Sequence, residues 1–215
     1  MFRQRDNVTI PQNAHASVAT CGVDYVDCQW SGDAWTQDAV AYIRNSTGQR
    51  DGSPFFLYLA YTAPHAGAVG SVGEDDVPAP RMGQGPYAHE STWPKVERDF
   101  ATAVFDVDAG VGQVLQALDA AGLTDDTVVM FSSDNGAHNE GGHNYQFFNS
   151  SGYLNGFKRS IHDGGHRAAF IVRWPGHTKP GTTTAHQIAF YDFLPTAAEL
   201  AGLPASQLPP HLDGQ

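Results

Sequence analysis

Positive charge is scarce in this sequence. Twelve Lys and Arg stand against 23 Asp and Glu, a formal charge of −11, and no basic run occurs. A nucleic acid or an anionic membrane surface therefore finds little to bind, and neither is expected as a partner. Long apolar runs are missing as well: no stretch approaches eighteen apolar residues, which excludes a membrane-spanning helix. Cysteine is limited to Cys21 and Cys28. Two thiols exclude a disulfide-dense scaffold and a four-cysteine zinc site, and leave either one short-loop disulfide or two separate thiols. No G-x-S-x-G elbow, no G-x-G-x-x-G after a strand, no P-loop and no H-E-x-x-H occurs. Serine-hydrolase, dinucleotide, nucleotide-phosphate and zincin chemistry lose their usual carriers. The opening MFRQRDNVTIPQ holds no apolar h-region, so no signal peptide is expected within these residues.

What is present points to a folded, loop-rich domain. Apolar residues make up 41% and aromatic residues 11%, enough for a sizeable core, which excludes disorder as the overall state. Glycine (23) and proline (13) imply many turns and long loops rather than a helical bundle. Three N-x-S/T sequons, at Asn7, Asn45 and Asn149, tilt toward a secretory route.

Helical and strand patterns alternate along the chain. Residues 35–45 (WTQDAVAYIRN) carry helical spacing, and 54–61 (PFFLYLAY) form an apolar run of strand length, expected to be buried on both faces. Residues 63–94 make a long loop of functional size. Residues 95–121 predict a strong helix with Phe100, Val104, Val107, Val111, Val114, Leu115 and Leu118 on or near one face, ended by Gly122. Residues 127–133 (TVVMFSS) and 168–174 (AAFIVRW) predict two more strands around a polar, glycine-rich stretch, 134–167. Residues 188–201 predict a last helix, kinked or begun at Pro195. Helices between short apolar strands argue for an α/β domain with a largely parallel sheet, and no linker or repeat divides it.

In such sheets ligands gather where loops leave the carboxyl ends of strands, and there the polar groups of this chain fall. Asp134-Asn135-Gly136 follows the second strand directly. Its carboxylate and amide oxygens are hard donors suited to Ca²⁺ or Mg²⁺, although D-N-G is also a common turn. His65, after Pro64 at the end of the first apolar run, could meet an anion or act as a general acid, or simply sit in a loop. Lys158 could offer a point charge to an anionic ligand, or simply be a solvated loop lysine, and the glycine pair of Asp163-Gly164-Gly165-His166-Arg167 allows close backbone approach. His138 with His143, or His162 with His166, could ligate zinc beside Glu140 or Asp163, yet neither pair has a recognised motif.

Taken together, PFFLYLAYTAPHAG (54–67), VVMFSSDNGAHNEGGHN (128–144), FFNSSGYLNGFKRSIHDGGHRAAFIVRWPG (147–176), YDFLPTAAELAG (191–202) and LDG (212–214) resemble the sulfatase family of the alkaline phosphatase superfamily. The nearest look is to arylsulfatase A-like and N-acetylgalactosamine-6-sulfatase-like members. The resemblance implies an alkaline-phosphatase-like α/β sulfatase domain, a mostly parallel central sheet flanked by helices, with 1–215 a partial catalytic domain. It implies that Asp134 and Asn135 are metal ligands, usually for Ca²⁺ with Mg²⁺ as the alternative. It implies that His65 and Lys158 contact the sulfate group, His65 also helping at the leaving oxygen. A sulfated small molecule or sulfated glycan becomes the expected substrate, and a secreted, periplasmic or lysosomal location the expected setting.

Departures from the family pattern are equally informative. Asn155 stands where an arginine is usual, Asp163 where a glutamate is usual, and Ala168-Ala169 where valine-proline is usual. The family's Cys/Ser-x-Pro-Ser-Arg signature, whose first residue becomes the formylglycine nucleophile, does not occur; Cys21 and Cys28 stand in other contexts. The earlier Asp-Asp metal pair and the lysine-histidine motif do not occur either. The chain is therefore expected to be an internal piece whose nucleophile comes from an upstream segment, and to be inactive alone. A phosphodiester or phosphonate hydrolase of the same superfamily, or a non-catalytic relative that binds sulfated glycans, are the alternatives.

Overall fold

The computed structural model describes residues 2–3, 6–7, 28–48, 53–67, 77–80 and 85–214. They fall into two compact units, Met1–Thr178 and Lys179–Gln215. The boundary lies in Thr178-Lys179-Pro180-Gly181-Thr182, a turn-forming stretch within what the sequence patterns present as one domain.

In the first unit, β1 (Phe2–Arg3) and β2 (Asp6–Asn7) make a small antiparallel pair. Helix α1 (Ser31–Gly48) is longer than the pattern at 35–45 predicts, and it packs on α2 (Lys95–Ala120). Thr36 Oγ1 and Tyr61 Oη meet at 2.6 Å, and Trp30 Nε1 donates to Asp106 Oδ2 at 2.7 Å, so polar pins flank the helix contact. The core beneath is Ile43, Ala117, Leu118 and Leu123, with Val40, Phe55, Leu57 and Val129 against it. Helix α2 stops as its sequence predicts. Gly122 has φ +66°, its N–H donates to Asp119 O, and Leu123 N–H donates to Leu118 O, a Schellman closure with the two leucines in contact in the core. The buried line of α2 differs from the apolar pattern: Asp99, Thr102, Ala103 and Gly110 are buried, whereas Val104 is exposed. At Gly110 the reason is the close approach of α1 and Tyr61: a Cβ there would meet Tyr61 Oη at 2.6 Å and Thr36 Oγ1 at 2.8 Å.

Strands β3 (Val129–Ser132) and β4 (Phe170–Arg173) fall within the two predicted apolar runs. They pair antiparallel, Val129 opposite Arg173 and Ser132 opposite Phe170. Among the described residues neither strand has a parallel partner. Residues 54–61 are extended without a strand ladder there. Their burial alternates: Phe55 and Leu57 face the helical core while Phe56 and Tyr58 are exposed, so one face is packed, not two. Cys28 is disulfide-bonded; Cys21 lies outside the described residues. A four-residue helical turn, α3 (Asp163–His166), breaks the polar stretch before β4.

In the second unit a 3₁₀ turn (Phe190–Asp192) leads into α4 (Phe193–Leu200), with Pro195 in the first turn, where its missing N–H costs no helical bond. Among the described residues no helix is long and apolar enough to cross a membrane.

Candidate active site

Three loops of the first unit converge where the chain leaves β3. Gly136 N–H donates to Gly165 O at 3.1 Å and Lys158 N–H donates to Ala137 O at 2.6 Å, tying the D-N-G segment to the loop at 155–167. Gly164 N–H donates to Asn155 O at 2.8 Å, so Asn155, where the family's usual arginine is absent, serves through its backbone. The fit has no room for side chains. A Cβ on Gly136 would collide with Gly164 O, one on Gly164 with Gly156 O, and one on Gly165 with Ser160 O. Glycine is required at these positions for close approach of backbone to backbone.

The third loop, 62–66, is attached by His138. Its Nε2 lies 3.1 Å from Pro64 O, and Glu140 N–H donates to its Nδ1 at 3.2 Å. A carbonyl only accepts, so Nε2 carries the proton and the ring is neutral. Burial pushes its pKa down, reinforcing the neutral form. Both ring nitrogens are thus engaged by backbone, which removes His138 from the zinc pairing that its spacing to His143 allowed.

The arrangement brings His65 and Lys158 together. His65 Nδ1 lies 2.7 Å from Ala66 O, which fixes the proton there and leaves Nε2 to accept from Lys158 Nζ at 2.9 Å. Lys158 Nζ also donates to Glu140 Oε2 at 2.8 Å, and Arg159 Nε donates to Glu140 Oε1 at 2.6 Å. The Lys158 contact above all, with Arg159 beside it, holds the Glu140 carboxyl at a pKa of about 2. Two cations around one carboxylate leave a net positive charge, and an ammonium has three donors, of which Lys158 commits two among the described residues. The site can therefore accept an anionic oxygen.

Asp134 is exposed and Asn135 half-buried, Asn135 Nδ2 donating to Gly136 O at 3.3 Å. Among the described residues neither the Asp134 carboxylate nor Asn135 Oδ1 has a hydrogen-bond or ion-pair partner, so both hard-oxygen groups are open to a cation. Calcium takes roughly six to eight oxygens. Among the described residues no group of three or more His, Cys, Asp or Glu could hold a metal. The pair fits Ca²⁺ or Mg²⁺ in kind and is short of a full shell in number.

Residues 4–203 match the family model described as Sulfatase. The chain belongs to the sulfatase family. It is 34% identical over 171 residues to arylsulfatase A of Homo sapiens, covering 77% of this chain and 29% of that protein. It is 32% identical over 174 residues to N-acetylgalactosamine-6-sulfatase of Mus musculus, covering 79% and 28%. Among solved structures it is similar to Ps i-CgsB in complex with k-i-k-neocarrahexaose, with a TM-score of 0.64 at 30% identity over 87% of this chain and 37% of that one. The fold is the alkaline-phosphatase-like α/β fold of sulfatases, of which this chain is part. It spans under a third of the length of these two curated relatives.

The family resemblance gives roles to His65, Lys158, Asp134 and Asn135. The sequence places His138 and Glu140 in the same polar loop, with zinc as the one role it offers them, and gives no role to Arg159 or Glu97. The available signal was H-x-E at 138–140 facing the Lys158-Arg159 doublet: one acid beside two adjacent cations in a glycine-rich loop.

Proposed function

We propose that this chain forms the substrate-contacting and metal-contacting part of a sulfuric ester hydrolase acting on a sulfated small molecule or sulfated glycan. The observation that carries the reading is the His65–Lys158 contact at 2.9 Å, in the same loop cluster as Asp134-Asn135. In this reading Lys158 uses its remaining N–H on an equatorial sulfate oxygen, countering the charge that grows as the S–O bond breaks. His65 would first take a proton from solvent on Nε2, giving up its contact with that ammonium, and would then pass it to the leaving oxygen, while Nδ1 stays locked on Ala66 O. Asp134 and Asn135 would hold Ca²⁺, or Mg²⁺, as two of its oxygen ligands, and the ion would add Lewis-acid stabilisation of the sulfate oxygens. A formylglycine residue from polypeptide outside these 215 residues would supply the nucleophile. The chain on its own would turn over no sulfate ester, since charge stabilisation without a nucleophile leaves the bond uncut. The disulfide at Cys28 and the sequons support a secreted, periplasmic or lysosomal setting.

The test is turnover of aryl sulfates, sulfated oligosaccharides and phosphate diesters by the native polypeptide that carries this chain. Sulfate ester hydrolysis that falls at least about 100-fold in Lys158→Ala is expected, the size seen when one oxyanion-stabilising donor is removed. Preference for phosphate diesters would move the chain to the phosphohydrolase branch. Binding of sulfated glycan without turnover would make it a non-catalytic relative.

A further inference from the structure

The geometry points to Glu140 as the positioning residue of Lys158, anchored in turn by Arg159 and His138. A lysine side chain is a flexible stem ending in a point charge, and one neutral imidazole nitrogen is a weak tether for it. At Lys158 the second tether is the Glu140 carboxylate, 2.8 Å away on Oε2. Held between that oxygen and His65 Nε2, the ammonium has its third N–H direction set by geometry rather than by thermal sampling.

Arg159 completes the clamp. Successive side chains ordinarily diverge, but Arg159 has φ +76°, a left-handed turn that a non-glycine residue seldom takes. That turn lets residues 158 and 159 reach the same carboxylate, Arg159 taking Oε1 at 2.6 Å. With Oε1 occupied, Glu140 cannot chelate Lys158 with both oxygens, so the ammonium keeps part of its field for an incoming anion. The backbone is registered too. His138 is 8% exposed; it accepts the Glu140 N–H on one nitrogen and meets Pro64 O with the other. One ring therefore sets the Glu140 backbone relative to the residue that precedes His65.

The catalytic consequence rests on the sulfatase reading above; the positioning itself does not. It is tested on the 215-residue chain by long-range ¹H–¹⁵N NMR of the histidine rings at neutral pH, with His65 assigned through His65→Gln. In Lys158→Ala the His65 Nε2 signal moves to the position of an unbonded acceptor nitrogen. Glu140→Gln is expected to produce most of that displacement while the His143 ring signal stays in place. Glu140→Asp, a methylene too short to hold both cations, is expected to produce an intermediate displacement. If Glu140→Gln and Glu140→Asp both leave His65 Nε2 unmoved, the proposal is overturned. In the native polypeptide, Glu140→Gln is expected to lower kcat on a sulfate ester about 10- to 100-fold, the range for losing an outer positioning partner, with KM changed less. An unchanged kcat would also overturn it. Absence of any sulfate ester turnover in the unsubstituted polypeptide would instead overturn the sulfatase reading and leave the NMR result standing.

Discussion

His143 Nδ1 lies 2.6 Å from Glu97 Oε2, and both side chains are buried. The other carboxylate oxygen of Glu97 accepts Asn144 N–H at 2.9 Å, and Phe100 stacks on the imidazole with centroids 3.7 Å apart. Glu97 belongs to the first turn of α2, where a carboxylate is favoured by the helix dipole. A single buried acid thus fastens the loop that carries His138 and Glu140 to the longest helix.

Removing that acid should unlatch the loop. Glu97→Ala leaves the buried His143 Nδ1 without an acceptor and removes the acceptor of Asn144 N–H, and His143 Nε2 already has no partner among the described residues. The expected loss is about 3 kcal/mol, typical of breaking a buried pair from one side. Glu97→Gln keeps one acceptor oxygen and should lose about 1 kcal/mol. Urea denaturation of the 215-residue chain measures both; equal stabilities of the two variants would show that the carboxylate does not fasten the loop.

Stability should also respond to acid through Glu140. Its pKa is lowered from 4.5 to about 2 by Lys158 first and by Arg159. A depressed folded-state pKa contributes stability that is fully present above the unfolded value and is lost as pH falls from about 4.5 toward about 2. The part-exposed clamp is screened by solvent, so about 1 to 2 kcal/mol is expected rather than the full shift. The difference in unfolding free energy between the unsubstituted chain and Glu140→Gln should therefore shrink across that window. A difference that stays constant from pH 5 to pH 2.5 would contradict the ion-pair origin of the shift.

The parts written in apolar periodicity and turn chemistry were legible before the structure. Helix α2 and its stop at Gly122 follow from one long pattern and one glycine. The two runs that hold β3 and β4 are equally plain, but their antiparallel pairing is a tertiary choice that no local pattern encodes. Residues 54–61 read as doubly buried because all are apolar, yet Phe56 and Tyr58 are exposed while Phe55 and Leu57 pack on the helical core. At the site, the family resemblance picked out His65 and Lys158, which by residue type alone read as ordinary loop residues, whereas Glu140 and Arg159 acquire meaning only through the left-handed turn at Arg159 and the backbone ties around Gly136 and Gly165. Such contacts join residues far apart in sequence, and composition carries no record of them.

Those backbone ties make a third prediction. Gly164→Ala would drive a methyl into Gly156 O in the loop that holds Lys158. Neither partner is a flexible side chain, so the backbone must shift, at a cost of about 1 to 3 kcal/mol. The Lys158 N–H bond to Ala137 O should open with it, and amide hydrogen exchange at Lys158 should quicken. By contrast Gly152→Ala, with nothing within 4 Å of the added carbon, should leave the Lys158 amide protected although its φ of +58° strains the turn. Equal exchange in the two variants would remove the argument that the glycine contacts hold the lysine.

Asp134 and Asn135 present a carboxylate and an amide oxygen without partners among the described residues, and two side chains are too few for a tight calcium shell. The 215-residue chain should bind Ca²⁺ only weakly, with Kd of about 10⁻³ M or higher, the weak end of protein calcium sites. Titration followed by amide NMR should shift the Asp134, Asn135 and Gly136 signals together, and Asp134→Ala should abolish the response. Mg²⁺ should bind more weakly still, since it demands near-ideal octahedral geometry and gives up water reluctantly. The native polypeptide that carries this chain should bind Ca²⁺ at least about a hundredfold more tightly, because further carboxylates would fill the shell. Micromolar binding by the 215 residues alone would mean that they complete a calcium site by themselves, and the division of the metal shell between this chain and other polypeptide would be wrong.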